Sequence, residues 1–154
     1  MHYEITLADT DAVAIGAGIL GTGGGGNTYI GRTWLRKELR ERGTVCRIIA
    51  ADDVADDAYV CAIGTMGAPT VGIEKLQNGQ EFITAMRAIE AHLRAPLAAI
   101  LIGEIGGSNA LKPLICGLQM NLPVVDGDGM GRAFPELQMD TFAIGGVSLT
   151  PMAL

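Results

Sequence analysis

The sequence predicts an α/β fold: a three-layer α/β/α sandwich around a mostly parallel sheet. Short apolar segments typical of strands alternate along the chain with longer segments whose apolar residues recur at helical spacing. A helix between two strands returns the chain across the sheet in the right-handed sense, which makes the two strands parallel. The 154 residues are the length of one domain, and we expect a single α/β domain over residues 1–154.

The first half of the chain is predicted to form two helices and then two strands. The first helix, residues 11–20, ends at a run of glycines, and the second, residues 28–42, ends at Gly43, which suits a left-handed C-cap. Residues 45–50 and 58–63 are apolar runs typical of strands. The residues expected to face inward are Ala12, Ile15, Gly16, Ile19 and Leu20 on the first helix and Ile30, Trp34, Leu35 and Leu39 on the second.

The second half alternates helix and strand. Residues 81–93 have helical periodicity, and residues 97–102 form a continuous apolar run, as expected for a strand buried on both faces. A helix capped by Asn109 follows, because Pro113 is tolerated only in a first turn. Residues 122–125 form the last strand. The buried stripes are Phe82, Ile83, Met86, Ile89 and Leu93, and then Leu111, Leu114, Ile115 and Leu118.

Two acidic, glycine-rich loops follow two of these strands. Residues 103–109 leave the strand at 97–102, and residues 126–132 leave the strand at 122–125. Loops at the carboxyl ends of parallel strands share one edge of the sheet, where ligands bind, and glycines let the backbone come close to a ligand. We therefore expect both loops to build one site, with the loop of residues 64–69 on the same edge.

The composition excludes several kinds of function. A net charge of −6 argues against nucleic-acid binding, which needs a basic surface. No apolar run reaches the ~18 residues of a membrane span, and the first residues lack the basic start of a secretory signal, so we expect a cytoplasmic protein. The two histidines, His2 and His92, exclude a histidine-based triad or an HExxH zinc site. The three cysteines lack CxxC spacing and are expected to be buried, reduced thiols.

A dinucleotide site is the first alternative to consider. The segment from Gly21 to Gly26 matches GxGxxG, a helix follows, and the next strand ends near Asp52, a possible ribose ligand. The fingerprint requires a strand before the glycines, whereas residues 11–20 have helical periodicity. Dinucleotide binding is therefore kept only as an alternative. The glycine segment is also suited to contact with a different ligand or to close packing against a neighbouring loop.

Four separated motifs stand in this order along the chain: GTGGGGNTYIGR at residues 21–32, GAPTV at 67–71 with EKL at 74–76, EIGGSNA at 104–110 and DGDGMGRAFPELQ at 126–138. Together they are similar to the motifs of the S-methyl-thiohydantoin desulfurase family. The resemblance implies an N-terminal α/β/α domain that in the family packs against a mainly β second domain, which we expect to be absent from these 154 residues. It also implies hydrolytic release of methanethiol from an S-methylated thiohydantoin in bacterial ergothioneine breakdown.

Attack of water on an amidine-like carbon needs a proton acceptor and stabilisation of the developing charge. Since the histidines are unsuitable, carboxylates or a divalent metal bound by carboxylates must supply the base. Glu104, Asp126 and Asp128 are the candidates for catalysis and for metal binding. Other roles remain open, because Asp126 and Asp128 also suit a tight turn and Glu104 an ion pair.

The other site predictions concern the substrate. Backbone N–H groups of residues 106–109, at the start of a helix, suit negative charge. Asn27 and Asn109 suit a ring amide, and Arg132 suits a carboxylate unless it pairs with Asp128. A non-catalytic small-molecule-binding or assembly module is the alternative to a hydrolase. The predicted substrate-binding residues are Thr22, Gly23, Asn27, Gly106, Gly107, Ser108, Asn109, Arg132 and Glu136.

The surface is expected to be partly covered by other protein. Charged residues make up only 18% of the chain, glycine accounts for 22 residues, and residues 149–154 are largely apolar. We expect an exposed apolar patch and a homo-oligomer, most simply a two-fold dimer.

Overall fold

The structure, a computed structural model, describes residues 2–68, 70–75 and 77–154. Its centre is a five-stranded sheet in the order β1-β2-β5-β4-β3. β1 pairs antiparallel with β2, and every other neighbouring pair is parallel. The strands are β1 (Tyr3–Ile5), β2 (Cys46–Ile49), β3 (Val60–Ile63), β4 (Ala99–Ile102) and β5 (Val124–Asp128). The predicted α/β sandwich with a mostly parallel sheet is confirmed.

The described residues also form six α-helices and three short 3-10 helices. The helices are α1 (Thr10–Gly21), α2 (Thr28–Arg42), α3 (Val71–Glu74), α4 (Glu81–Leu93), α5 (Lys112–Met120) and α6 (Thr141–Ile144). The 3-10 helices are Ala51–Asp53, Gly107–Ala110 and Leu137–Met139. No helix of the described residues is long and apolar enough to cross a membrane.

The core lies between the sheet and α5. Helix α5 contacts β2, β3, β4 and β5, and both α2 and α4 pack against α5. The predicted inward stripe of α5 is confirmed, since Leu111, Leu114, Ile115 and Leu118 are all buried. Burial of this stripe against the strands holds the carboxyl edge of the sheet in place, because hydrophobic burial is the dominant favourable term in folding.

Helix α2 begins and ends where the sequence predicts. The side chain of Asn27 accepts a hydrogen bond from the Tyr29 N–H and so caps the first turn, and Gly43 ends the helix with a φ of 59°. Leu35 and Leu39 are buried as predicted, but Ile30 is 62% exposed. The prediction for Ile30 is therefore wrong.

Helix α1 forms as predicted but presents the opposite face to the protein. Its buried residues are small: Thr10, Ala14, Ala17 and Gly21. They let α1 lie close to α2 and to the 3-10 helix Gly107–Ala110. The predicted inward stripe is left outside, with Ile15 65% and Ile19 70% exposed and Ala12 and Leu20 also exposed. Apolar periodicity gave the right helix and the wrong face.

Two further boundaries differ from the sequence prediction. Asn109 does not cap α5, because it lies inside the 3-10 helix Gly107–Ala110, and the N-cap position of α5 is Leu111. Pro113 does lie in the first turn of α5, as predicted. β5 runs on through Asp128, because its pairing with β4 resumes at Ile102 after an irregularity. Asp126 and Asp128 are thus strand residues rather than loop residues.

The three cysteines are free, as predicted. Cys46 and Cys116 are buried, and burial raises the pKa of each thiol to about 12. Cys61 is partly buried, and burial also raises its pKa. All three thiols are protonated at neutral pH.

Candidate functional site

The loops that follow β3, β4 and β5 meet at one edge of the sheet. The backbone N–H of Gly103 donates to the Ile63 carbonyl at 3.1 Å, and the N–H of Gly129 donates to the carbonyls of Ile102 and Gly103, each at 3.2 Å. Because these strands are parallel, their carboxyl ends face the same way. The prediction of a shared edge is confirmed for residues 64–68, 103–109 and 126–132. Pro69, and Leu76 of the second motif, lie outside the described residues.

Glu104 is held at this edge by two hydrogen bonds. Its Oε1 accepts from Asn109 Nδ2 at 2.5 Å, and its Oε2 accepts from the Phe134 N–H at 3.1 Å. Among the described residues no cation lies within salt-bridge distance of Glu104. The ion-pair alternative is therefore not what the structure shows.

Asn109 connects Glu104 to the loop after β3. It is 2% exposed. Its Oδ1 accepts from the Thr65 N–H at 3.0 Å and from Thr65 Oγ1 at 2.5 Å, while its Nδ2 also donates to the Thr65 carbonyl at 3.1 Å. These bonds engage the amide on both sides, so in this arrangement Asn109 positions Glu104 and Thr65 rather than a substrate amide.

Lys112 completes this cluster and was missed by the sequence analysis, as was Thr65. Lys112 Nζ donates to Thr65 Oγ1 at 2.6 Å and lies 5.8 Å from the centre of the Phe82 ring. Burial lowers the pKa of Lys112, while the nearby Glu104 carboxylate opposes that shift. No local sequence signal marks the pair, since 47 residues separate its members.

Asp126 faces a different part of the edge. It lines a groove of about 240 Å3 between α1 and the sheet, whose other lining residues are largely apolar, among them Val13 and Leu20. Tyr3 lines the same groove. Burial raises the pKa of Tyr3, and the neighbouring Asp126 carboxylate raises it further. Asp126 therefore shares its surroundings with Tyr3 rather than with Glu104.

Asp128 closes a tight turn. Its Oδ1 accepts from the N–H groups of Met130 and Gly131, at 2.8 and 2.5 Å. Among the described residues, no three or more His, Cys, Asp or Glu side chains are grouped so that they could hold a metal ion. Glu104, Asp126 and Asp128, the candidates for catalysis and for metal binding, are each directed to separate partners in this arrangement.

The glycine segment packs against the loop after β4 through backbone atoms. The carbonyls of Gly26 and Gly25 accept from the N–H groups of Ser108 and Asn109, at 3.1 and 3.0 Å. A Cβ on Gly25 or Gly107 would collide with the facing backbone. This contact, which we call the glycine seam (residues 21–26 against residues 106–109), occupies two of the four backbone amides predicted to receive negative charge, those of Ser108 and Asn109.

The glycine seam also removes the dinucleotide alternative. Helix α1, not a strand, precedes Gly21, and the carbonyls of Gly25 and Gly26 are directed at protein. Dinucleotide binding needs a strand before the glycines and a backbone open to the pyrophosphate. Neither condition is met.

The remaining predicted substrate residues take no part in the hydrogen bonds of the cluster around Glu104. Asn27 caps α2, and the seam residues Gly106, Gly107 and Ser108 are buried. Arg132 does not pair with Asp128: its Nε donates to the Ala133 carbonyl, and its guanidinium lies 4.6 Å from the centre of the Phe134 ring. The other three are exposed: Thr22, the C-cap of α1; Gly23 beside it; and Glu136, which accepts a hydrogen bond from Gln138.

A comparison with protein families shows to which family the chain belongs. A family model described as "S-Me-THD-like, N-terminal domain" matches residues 8–154. The chain belongs to the S-Me-THD-like family. An X-ray structure of a protein from Chromobacterium violaceum is 26% identical to this S-Me-THD-like domain, with a TM-score of 0.72. The alignment covers 97% of this chain and 41% of that one. No curated protein matches the chain significantly.

The S-Me-THD-like domain thus presents two groups of polar side chains at one sheet edge. One is the cluster of Glu104, Asn109, Thr65 and Lys112, which combines a carboxylate, a hydroxyl and an amine in one hydrogen-bonded chain. The other is the Tyr3–Asp126 groove. Carboxylate, hydroxyl and amine groups are able to exchange protons with a bound molecule, which is the basis of acid–base catalysis.

Proposed function

We propose that this S-Me-THD-like domain takes part in hydrolysis of a cyclic thiohydantoin-like or hydantoin-like small molecule. Family membership supports the substrate class. The observation that carries the proposal is Glu104, a carboxylate fixed at the carboxyl edge of the sheet by Asn109 and by the Phe134 amide. Ligands of open α/β sheets bind at this edge.

Glu104 is the proton acceptor in this proposal. Each oxygen of a carboxylate has room for more than one hydrogen bond, so the two bonds to protein leave space for a water molecule. A water held there gives its proton to Glu104 as it attacks the ring carbon. The fixed donors hold the carboxylate in one orientation and so reduce the entropy lost on reaching the transition state.

The substrate lies across the edge between the two polar groups. The ring faces Glu104, and an apolar substituent enters the groove beside Asp126, whose carboxylate suits a cationic or N–H-bearing group. Catalytic roles for Asp126 and Asp128, and substrate contacts by Thr22, Gly23, Arg132 and Glu136, stay predictions. Divalent metal is not needed for this scheme.

The test is turnover of small molecules by the purified chain. S-methylated thiohydantoins are incubated with the protein, and released methanethiol is measured together with binding of the same compounds by calorimetry. Methanethiol release supports the proposal. Saturable binding without turnover supports the alternative, a non-catalytic binding module. Absence of both rejects the substrate class.

We propose further that other protein covers the exposed side of α1, as a second domain, a second copy of the chain, or both. The exposed apolar residues Ile15 and Ile19 of α1 support this. The chain spans 41% of the Chromobacterium violaceum protein. The three free thiols are in keeping with a reducing compartment, the cytoplasm.

A further inference from the structure

We propose that Thr65 is a nucleophile at this site and that Lys112 accepts the proton of its hydroxyl, while Glu104 accepts the proton of the water that follows. Thr65 Oγ1 attacks the ring carbon that bears the leaving group, and Lys112 Nζ takes the hydroxyl proton. The inference rests on the proposed function for its natural substrate, and it adds a covalent step to that function.

The geometry of the pair fits this role. Lys112 Nζ lies 2.6 Å from Thr65 Oγ1, which is within the range required for direct proton transfer. Thr65 Oγ1 donates to Asn109 Oδ1 at 2.5 Å, so this bond positions the hydroxyl, and the hydroxyl proton rotates toward Lys112 Nζ before the amine takes it. Thr65 is exposed at the sheet edge, so a substrate has access to it. A nucleophile, a base and a third group that orients the nucleophile are therefore present.

Lys112 is placed where an ammonium ion is poorly stabilised. It is the first residue of α5, where the helix dipole disfavours positive charge. Burial lowers the pKa of Lys112, against the opposing effects of Glu104 and Cys116. The Phe82 ring packs over the amine and favours the cation. A lysine whose pKa is lowered loses its own proton more easily than an exposed lysine and is then free to accept one.

The reaction then has two balanced steps. First, Thr65 Oγ1 forms a bond to the ring carbon, Lys112 takes the hydroxyl proton, and the carbon–sulfur bond breaks; the thiolate that leaves is protonated by solvent. Second, water adds to the same carbon and gives a proton to Glu104, while the bond to Thr65 breaks. Thr65 recovers its proton from Lys112, and Glu104 returns its proton to solvent. No oxidant or reductant is required.

A simple ester tests the pair without depending on the natural substrate. The protein is treated with p-nitrophenyl acetate at pH 8, and acetylated peptides are mapped by mass spectrometry. We expect an acetyl group on Thr65, lost in Thr65→Val and reduced about 100-fold or more in Lys112→Arg. Thr65→Ser keeps the hydroxyl and retains labelling. Lys37→Arg, at an exposed lysine paired with Glu41, leaves labelling unchanged.

The pH dependence of lysine acetylation provides the second measurement. With trace acetic anhydride, the half-maximal rate at Lys112 is expected at a lower pH than that at Lys37. Acetylation of Thr65 that is equal in Lys112→Arg and wild type, or a Lys112 profile that matches Lys37, overturns the inference. If the ester labels Thr65 but no thiohydantoin is turned over, the inference stands and the proposed substrate class fails.

Discussion

Glu104 differs from Asp128 in how the fixed donors are distributed over the two oxygens of the carboxylate. Its two oxygens accept from the Asn109 amide and from the Phe134 N–H, whereas Asp128 uses a single oxygen to close its own turn. Replacing the Glu104 carboxylate by an uncharged group therefore removes the proposed proton acceptor and also disturbs the hydrogen bonds from Asn109 and from the Phe134 N–H. Removing the charge of Asp128 leaves its accepting oxygen in place.

Substitution of Glu104 by glutamine should stop methanethiol release and also destabilise the fold slightly. The new amide points a donor at either Asn109 Nδ2 or the Phe134 N–H, which costs about 1–2 kcal/mol and roughly 2–8 °C in Tm. Turnover and thermal unfolding are measured on the same preparation. Asp128→Asn is the control, with Tm unchanged. Full turnover by Glu104→Gln would remove Glu104 from the reaction.

Glu38 is a buried carboxylate whose charge links α2 to α5. Burial alone would raise its pKa, but hydrogen bonds from Arg42, Gln119 and Trp34 outweigh that effect and hold the pKa below its ordinary value of 4.5. Arg42 Nε lies 2.7 Å and Gln119 Nε2 2.9 Å from its oxygens. Because the unfolded chain binds this proton more readily, the stabilisation is complete above pH 4.5 and is lost as the pH falls below it.

Glu38→Gln should therefore flatten the acid side of the stability curve. At neutral pH the variant is expected to lose about 1.5–3 kcal/mol, the range for hydrogen bonds to a charged group. The difference from wild type should shrink as the pH falls through and below 4.5. Urea unfolding at a series of pH values measures it. A constant difference at all pH values would show that the effect comes from packing and not from the charge.

The glycine seam joins two elements that sequence comparison alone would treat as separate motifs. Gly25→Ala places a Cβ against the Gly106 carbonyl at a φ of +74°, so clash and backbone strain add to about 3 kcal/mol or more. Gly23→Ala has a similar φ, +92°, and open space around it, so it should cost only about 1–2 kcal/mol. Equal losses in urea unfolding would contradict the close contact.

The bounds of a helix could be predicted from the sequence where its cap residues are recognisable. Asn27 and Gly43 mark α2, and the predicted bounds agree with the structure. The start of α5 was placed wrongly because Asn109 looks like a cap from its neighbours alone, while its actual partners are Thr65 and Glu104. The face of α1 was also wrong, since periodicity identifies a stripe but not what covers it. The buried side of α1 carries small residues because α2 and the glycine seam lie close to it.

The candidate site could be located from the sequence only in outline. Parallel strands and acidic loops were enough to predict a common edge and to select Glu104. Thr65 and Lys112 lie 47 residues apart, and neither stands in a motif that a pattern would single out. Their contact follows from the pairing of β3 with β4 and from the position of α5 across both strands. Neither feature can be deduced from the residues next to Thr65 or Lys112 in the sequence.

Across the whole molecule, apolar side chains are left exposed on the outer side of α1, where Ile15 is 65% and Ile19 70% exposed. Ile19→Glu should reduce self-association of the chain while leaving its stability within about 0.5 kcal/mol, because the side chain is already exposed. Light scattering over a concentration series measures the association. The control is Ile144→Glu, at a residue of α6 that is 74% exposed. A monomeric wild type, or an equal effect of both variants, would reject a specific α1 contact.

The shielded thiols have a practical consequence for measuring slow turnover. A chromogenic disulfide reagent reacts with thiolates, and the high pKa values of Cys46 and Cys116 keep these side chains protonated as well as buried. Cys46 and Cys116 therefore contribute little colour, and the background from the folded protein is limited to the partly buried Cys61, whose pKa is also raised by burial. Methanethiol can be recorded continuously in the same cuvette, so that a panel of candidate ring compounds can be screened for weak activity without removing the protein first.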